Sequence, residues 1–111
     1  MKKYYKDVIK QYLIDFSKRY EGCDIDPKES AFIIRLEKFG CKVDYGIQYN
    51  EKMNCCIMNF VPKKSESIPE ELLFAAIQGQ LLSLENITVE TLREAEDSMF
   101  LPFWEFAGKF R

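Results

Sequence analysis

The first segment of the chain places its apolar residues at spacings of three and four. Over residues 3–20 these residues fall on one stripe of a helix: Tyr5, Val8, Ile9, Tyr12, Leu13, Phe16 and Tyr20. Lysine, arginine and aspartate occupy most of the positions between them. This spacing predicts an amphipathic helix over 3–20 that packs through the apolar stripe and stops near Gly22.

In the middle of the chain apolar and polar residues alternate instead, as in a strand with one solvent-exposed face. Residues 41–49 place apolar side chains at every second position: Cys41, Val43, Tyr45, Ile47 and Tyr49. After a polar turn over 50–54, residues 55–61 are apolar on both faces except at Asn59. We predict a β-hairpin whose second strand is interior and ends at Pro62.

Residues 26–39 fit two different elements. Asp26, a proline after it and Glu29 resemble a helix capping box, and Gly40 provides a stop, so a helix is the preferred prediction. Read with period two, residues 31–38 alternate as a half-buried strand would. A strand over residues 31–38 is therefore the alternative prediction.

The second half predicts three helices. Residues 67–84 begin with a second capping-box pattern and are apolar nearly all round, which predicts a central, buried helix. Thr88 is placed to cap a helix over about 89–99. Pro102 then restarts a short terminal helix.

Together these elements predict an α+β fold. It contains N-terminal helices, a small antiparallel β-hairpin and C-terminal helices, with a three-stranded meander if 31–38 is a strand. The length of 111 residues and 47% hydrophobic content fit a single compact domain over 1–111.

The last dozen residues before Arg111 are unusually aromatic. Five of the sixteen aromatic residues of the chain lie there: Phe100, Phe103, Trp104, Phe106 and Phe110. A short terminal helix cannot easily bury two aromatic faces. We expect Phe100, Phe103 and Phe106 to dock on the helix of residues 69–84, and Trp104 to stay partly exposed for a partner.

Charge is separated along the chain. Residues 1–20 carry six basic and two acidic side chains, whereas residues 66–105 carry nine acidic side chains and only Arg93 as a base. An acidic face of this kind steers association with a basic partner, such as a protein that handles nucleic acid, while solvated helix surfaces are the simpler explanation. The predicted partner-binding residues are Glu90, Glu94, Glu96, Asp97 and Trp104.

Composition also argues against several chemistries. Without histidine the chain cannot form Ser-His or Cys-His nucleophile pairs. The spacing of the four cysteines does not match a zinc site, so we expect reduced structural thiols and no metal: Cys23, Cys41, Cys55 and Cys56. A domain with a pI of 5.2 lacks a basic nucleic-acid surface. We therefore expect no enzyme activity, no cofactor and no direct nucleic-acid binding.

The location and function follow from these expectations. No apolar run reaches the ~18 residues of a membrane span, and no secretory signal is evident at the start, so we expect a cytoplasmic protein without membrane contact. The preferred function is a protein–protein interaction module of the inhibitor, immunity or phage anti-defence type. One alternative is a self-associating structural or adaptor domain, such as a homodimer paired through the hairpin. Another is a small-molecule sensor with a pocket of Tyr45, Tyr49 and Trp104.

Overall fold

Five antiparallel strands, ordered in space as they are along the chain, form the centre of the molecule. The computed structural model describes residues 4–110. Its elements are α1 (Tyr4–Arg19), β1 (Asp24–Pro27), β2 (Ala31–Lys38), β3 (Cys41–Asn50), β4 (Cys55–Lys64), α2 (Glu70–Ala75), β5 (Gln78–Ser83) and α3 (Val89–Gly108). The fold is α+β, with a five-stranded sheet in place of the predicted hairpin or three-stranded meander.

The most regular sequence patterns are confirmed. Helix α1 buries the predicted stripe, although the predicted start at residue 3 lies outside the described residues. Strands β3 and β4 form the predicted hairpin, and β4 is interior because it pairs with β3 and β5. Pro62 does not end β4 as predicted, because it lies beside the register shift at Val43, where a missing backbone donor is tolerated.

The preferred helix over 26–39 is wrong. This stretch forms β1, a tight turn and β2, which pairs with β3 from Ala31 opposite Gln48 to Lys38 opposite Cys41. Only Phe39 and Gly40 lie between β2 and β3, and both have positive φ, as a tight hairpin turn requires. The glycine that resembled a helix stop is therefore a turn residue.

The helix over 67–84 is also wrong. Only Glu70–Ala75 is helical, and the chain then returns as β5 beside β4. At the C-terminus the two predicted helices are one, since α3 continues through Pro102. Thr88 caps α3 as predicted by accepting a hydrogen bond from the amide of Thr91.

One face of the sheet is covered and the other is open. The inward residues of β2, β3 and β4 lie in the core with α1 and α3; they include Ile34, Tyr45, Ile47, Met58 and Phe60. On the opposite face of strands β1–β5, no described side chain is fully buried. This open face is the first place where another molecule could pack. None of the helices in residues 4–110 is long and apolar enough to cross a membrane.

Candidate functional site

Glu96, predicted to face a partner, lies inside the protein instead. Its side chain is 1% exposed, and its two carboxylate oxygens accept hydrogen bonds of 2.7 and 2.8 Å from the guanidinium of Arg19. The hydroxyl of Tyr12 donates to the same carboxylate at 2.8 Å and lies 2.7 Å from the hydroxyl of Tyr45. Glu96 therefore joins α3 to α1 and the sheet, and its prediction as a partner contact is wrong.

The groups around Glu96 hold one another in fixed protonation states. Burial raises the pKa of Tyr45 well above its ordinary value. Burial and the nearby Tyr45 and Glu96 likewise raise the pKa of Tyr12. Burial alone would lower the pKa of Arg19, but hydrogen bonds to Glu96 and Asp15 raise it. This network, which we call the Glu96 network, is fully paired and resembles a structural element more than a reactive site.

Trp104 is buried as well, contrary to the expectation that it stays partly exposed. Only 5% of its surface is accessible, and its indole N–H donates to the hydroxyl of Tyr20 at 2.8 Å. Its ring packs edge-on against Phe39, Phe60 and Phe100. Phe100 and Phe103 are buried too, but on the sheet and α1, since no helix spans 69–84.

The remaining predicted acidic residues diverge on α3. Glu90 and Glu94 are exposed, whereas Asp97 is half-buried. Asp97 lines a surface hollow with three bases, Arg19, Lys38 and Arg93, and with the carboxylates of Glu21, Glu37 and Glu96. Of the predicted partner-binding set, Glu90 and Glu94 remain on the free surface.

Four of the eight large apolar residues that are exposed within residues 4–110 lie close together along the chain. Phe74 is 70% and Leu81 is 69% exposed, with Leu72 and Ile77 about two-fifths exposed. These four residues of α2, β5 and the turn between them are called the α2–β5 patch. Leu81 lies on the open face of the sheet opposite Ile57 of β4, so the patch continues onto that face. Large exposed apolar side chains that lie close together along the chain make this segment a candidate interaction surface.

A groove adjoins the patch. Leu72 and Ala76 form one side, Pro102 and Phe106 form the other, and Gln78 lies at its base, enclosing about 280 Å³. The side chain of Gln78 donates to the carbonyl of Met99, and Gln80 donates to Ser98, which fixes β5 against α3. The α2–β5 patch and the groove therefore lie beside a strand that is held in place by hydrogen bonds to α3.

The two edges of the sheet differ sharply. Strand β1 has Asp24, Asp26 and Pro27, and Arg35 of β2 forms ion pairs with both aspartates. Charges and proline are the usual means by which a protein keeps an edge strand from pairing with another chain. Strand β5, Gln78–Ser83, has neither, and apart from the carbonyl of Ser83, which accepts from the amide of Asn86 in the following turn, its described residues show no backbone hydrogen bond outside the pairing with β4. The edge of β5 is thus open to pairing.

Acidic residues surround this open edge. Glu70 and Glu71 begin α2, Glu85 follows β5, and Glu94 lies one turn before Ser98, the residue that holds Gln80. Arg93, the sole base among residues 65–108, hydrogen-bonds to Asp15 of α1. The part of the chain that contains the α2–β5 patch is therefore predominantly acidic.

The sequence contained a signal for this surface. Residues 77–83 alternate Gln78 and Gln80 with Gly79 and Leu81, a period of two, and glycine is unfavourable within a helix. The continuous apolar run from Leu72 concealed this period, because such a run fits a helix as readily as a strand.

The described residues give little support for a catalytic site or a metal-binding site. The four cysteines are free, and burial raises the pKa of Cys56 to about 11. Within residues 4–110 no three or more acidic or cysteine side chains gather in a way that could hold a metal ion. The suggested small-molecule pocket is not formed, because Tyr45 and Trp104 are buried while Tyr49 packs on Tyr5 of α1.

Comparisons with known proteins give no further indication. No protein-family model matches the chain, and no curated protein or solved structure matches it significantly.

Proposed function

We propose that this protein is a small protein–protein interaction module that binds a basic protein partner through the α2–β5 patch. Such a module would act by occupying the surface of its partner, as inhibitors, immunity proteins and phage anti-defence factors do. The observation that carries the proposal is the exposure of Phe74 and Leu81 beside an unprotected strand edge.

The chemistry of the surface supports binding over catalysis. The patch supplies apolar area that gains free energy when another molecule covers it. The surrounding carboxylates, among them Glu70 and Glu94, supply a field that would accelerate encounter with a positively charged protein. The free thiols and the absence of histidine agree with a non-catalytic protein in a reducing, cytoplasmic setting.

Self-association is the second candidate function, in which the α2–β5 patches of two copies would cover each other in a homodimer. The charges argue against it. A second copy would bring Glu70, Glu71 and Glu85 near their own counterparts, and juxtaposed like charges oppose association.

The proposal is tested by affinity capture from lysate of the source cell, with three tagged proteins compared. They are the wild type, the double variant Phe74→Ser/Leu81→Lys, and the control Met53→Ser. Met53 is 71% exposed in the turn after β3, so the control removes one apolar side chain of comparable exposure away from the patch. We expect one basic protein to be enriched by the wild type and control and lost with the double variant.

Association kinetics with the purified captured protein then test the charge. Glu90→Lys/Glu94→Lys should lower the association rate by roughly tenfold, with a smaller change in dissociation, and high salt should have the same effect on the wild type. Equal capture by the double variant, or an association rate insensitive to salt, would show that this surface is not the interface.

A further inference from the structure

We propose that the open edge of β5 accepts an extended, basic segment of a protein as a sixth strand of the sheet. This inference rests on the proposed function and specifies how the partner binds. The occupant is a segment in which apolar and basic side chains alternate.

The backbone of β5 supplies the first argument. As an edge strand, β5 directs every second pair of its N–H and C=O groups away from β4. An incoming strand would lie about 4.8 Å away and pair with these groups. Such strand addition gains affinity from the main chain and specificity from alternating side chains.

The side chains of β5 favour such pairing. On the open face, the side chain of Asn59 closes over Gly79, whereas Leu81 is 69% exposed and can contact an apolar side chain of the incoming strand. On the other face, Gln78 and Gln80 are held by α3 and do not cover the edge. The strand is therefore ordered before it binds, which lowers the entropy lost on association.

Charge decides the chemistry of the occupant. Side chains of an added strand alternate between the Leu81 face and the α3 face. On the α3 face, Glu94 lies one turn from Ser98, the residue that accepts from Gln80 of β5. Basic side chains of the added strand would lie on this face near Glu94, with apolar side chains beside Leu81. A second copy of β5 has no basic residue to offer.

The groove beside the patch would receive one more side chain. Its lining includes Gln78, the first residue of β5, together with Leu72 and Phe106. An apolar residue at the end of the added strand can enter this groove, which fixes the register of pairing.

The test is an NMR titration of the ¹⁵N-labelled full chain with short blocked peptides. The probe alternates lysine and valine and ends in leucine; the matched peptides replace lysine by glutamate, or valine by serine. We expect the lysine–valine peptide to shift the amides of residues 77–83 and both matched peptides to bind at least roughly tenfold more weakly. Leu81→Lys should weaken the probe roughly tenfold, and Met53→Lys should leave its affinity unchanged.

Each other outcome overturns strand addition. Equal binding by the lysine–serine peptide, with shifts on α3 alone, would show attraction by charge without pairing. No binding up to ~2 mM would show that the edge does not accept a strand. Shifts of the β5 amides with protein concentration alone would assign the edge to a second copy. The lysate capture is independent of these peptides, so a patch-dependent partner can persist when strand addition fails.

Discussion

The α1–α3 interface differs from the α2–β5 patch in whether its side chains have partners within the chain. At the first, Trp104 donates to Tyr20 and the Glu96 carboxylate is bonded by Arg19 and Tyr12. At the second, Phe74 and Leu81 remain mostly exposed beside an unpaired strand edge. The residue types usually associated with binding are used by the fold, and residues typical of a core are left exposed.

This contrast shows why residue type alone misassigns a surface. Tryptophan and charged side chains are common in interfaces, yet here Trp104, Glu96 and Arg19 form hydrogen bonds inside the protein. The groups whose interactions are incomplete in the folded chain are instead Phe74, Leu81 and the edge of β5.

The largest expected difference is between two aromatic truncations. Trp104→Ala removes a buried ring and a hydrogen bond and should lower the free energy of unfolding by about 3–5 kcal/mol. Phe74→Ala, at 70% exposure, should change it by less than about 0.5 kcal/mol. Urea denaturation of both variants gives the comparison. Similar losses would show that Phe74 is part of the core.

The Glu96 network provides the next test. Arg19→Met leaves the carboxylate of Glu96 buried with Tyr12 as its remaining partner. The expected cost is up to about 3 kcal/mol, below that of a fully buried pair because the side chain of Arg19 is 25% exposed. Adding Glu96→Met should recover most of the loss, as measured by chemical denaturation. A double variant less stable than Arg19→Met alone would contradict this account.

The fold was predictable where one periodicity dominated. The stripe of α1 and the alternation of Val43, Tyr45 and Ile47 each fit a single element, and both were confirmed. Residues 26–39 failed because a proline, a nearby glutamate and a later glycine serve a helix and a hairpin equally well. The choice depended on pairing with β3, a contact that a local pattern does not contain.

The site was less predictable, although parts of the pattern were informative. Glu96 follows Leu92 by four residues and precedes Met99 by three, which places it on the buried stripe of α3. Its burial was therefore readable, whereas its pairing with Arg19 was not, since the two are 77 residues apart. The exposure of Phe74 depends on how α2 and β5 dock, and no local pattern specifies that.

High pH should weaken the interior region selectively. The pKa values of Tyr12 and Tyr45 are raised in the folded protein, above the value of about 10 in the unfolded chain. Their contribution to the free energy of unfolding is fully present below pH ~10. As the pH rises from there toward the folded pKa values, this contribution falls by about 1.4 kcal/mol per pH unit for each tyrosine. Denaturation at several pH values should show this decline.

Tyr12→Phe is the control for that experiment. It removes one raised pKa, so the slope above pH ~10 should fall by about 1.4 kcal/mol per pH unit relative to the wild type. Unchanged slopes would mean that Tyr12 ionises as easily in the folded protein as in the unfolded chain.

The smallest and most local effect compares two neighbouring residues of β5. Leu81 projects from the open face of the sheet, whereas Leu82 is half-buried against the core on the covered face. Threonine fits a strand at either position, so the change mainly removes apolar contact. Leu81→Thr should alter the free energy of unfolding by less than about 0.5 kcal/mol, and Leu82→Thr should lower it by about 1–2 kcal/mol. Thermal and urea denaturation measure both. Equal losses of unfolding free energy in the two variants would place Leu81 against the core. A shift of one residue in the pairing of β5 exchanges its two faces, and Leu81 would then no longer belong to an exposed patch.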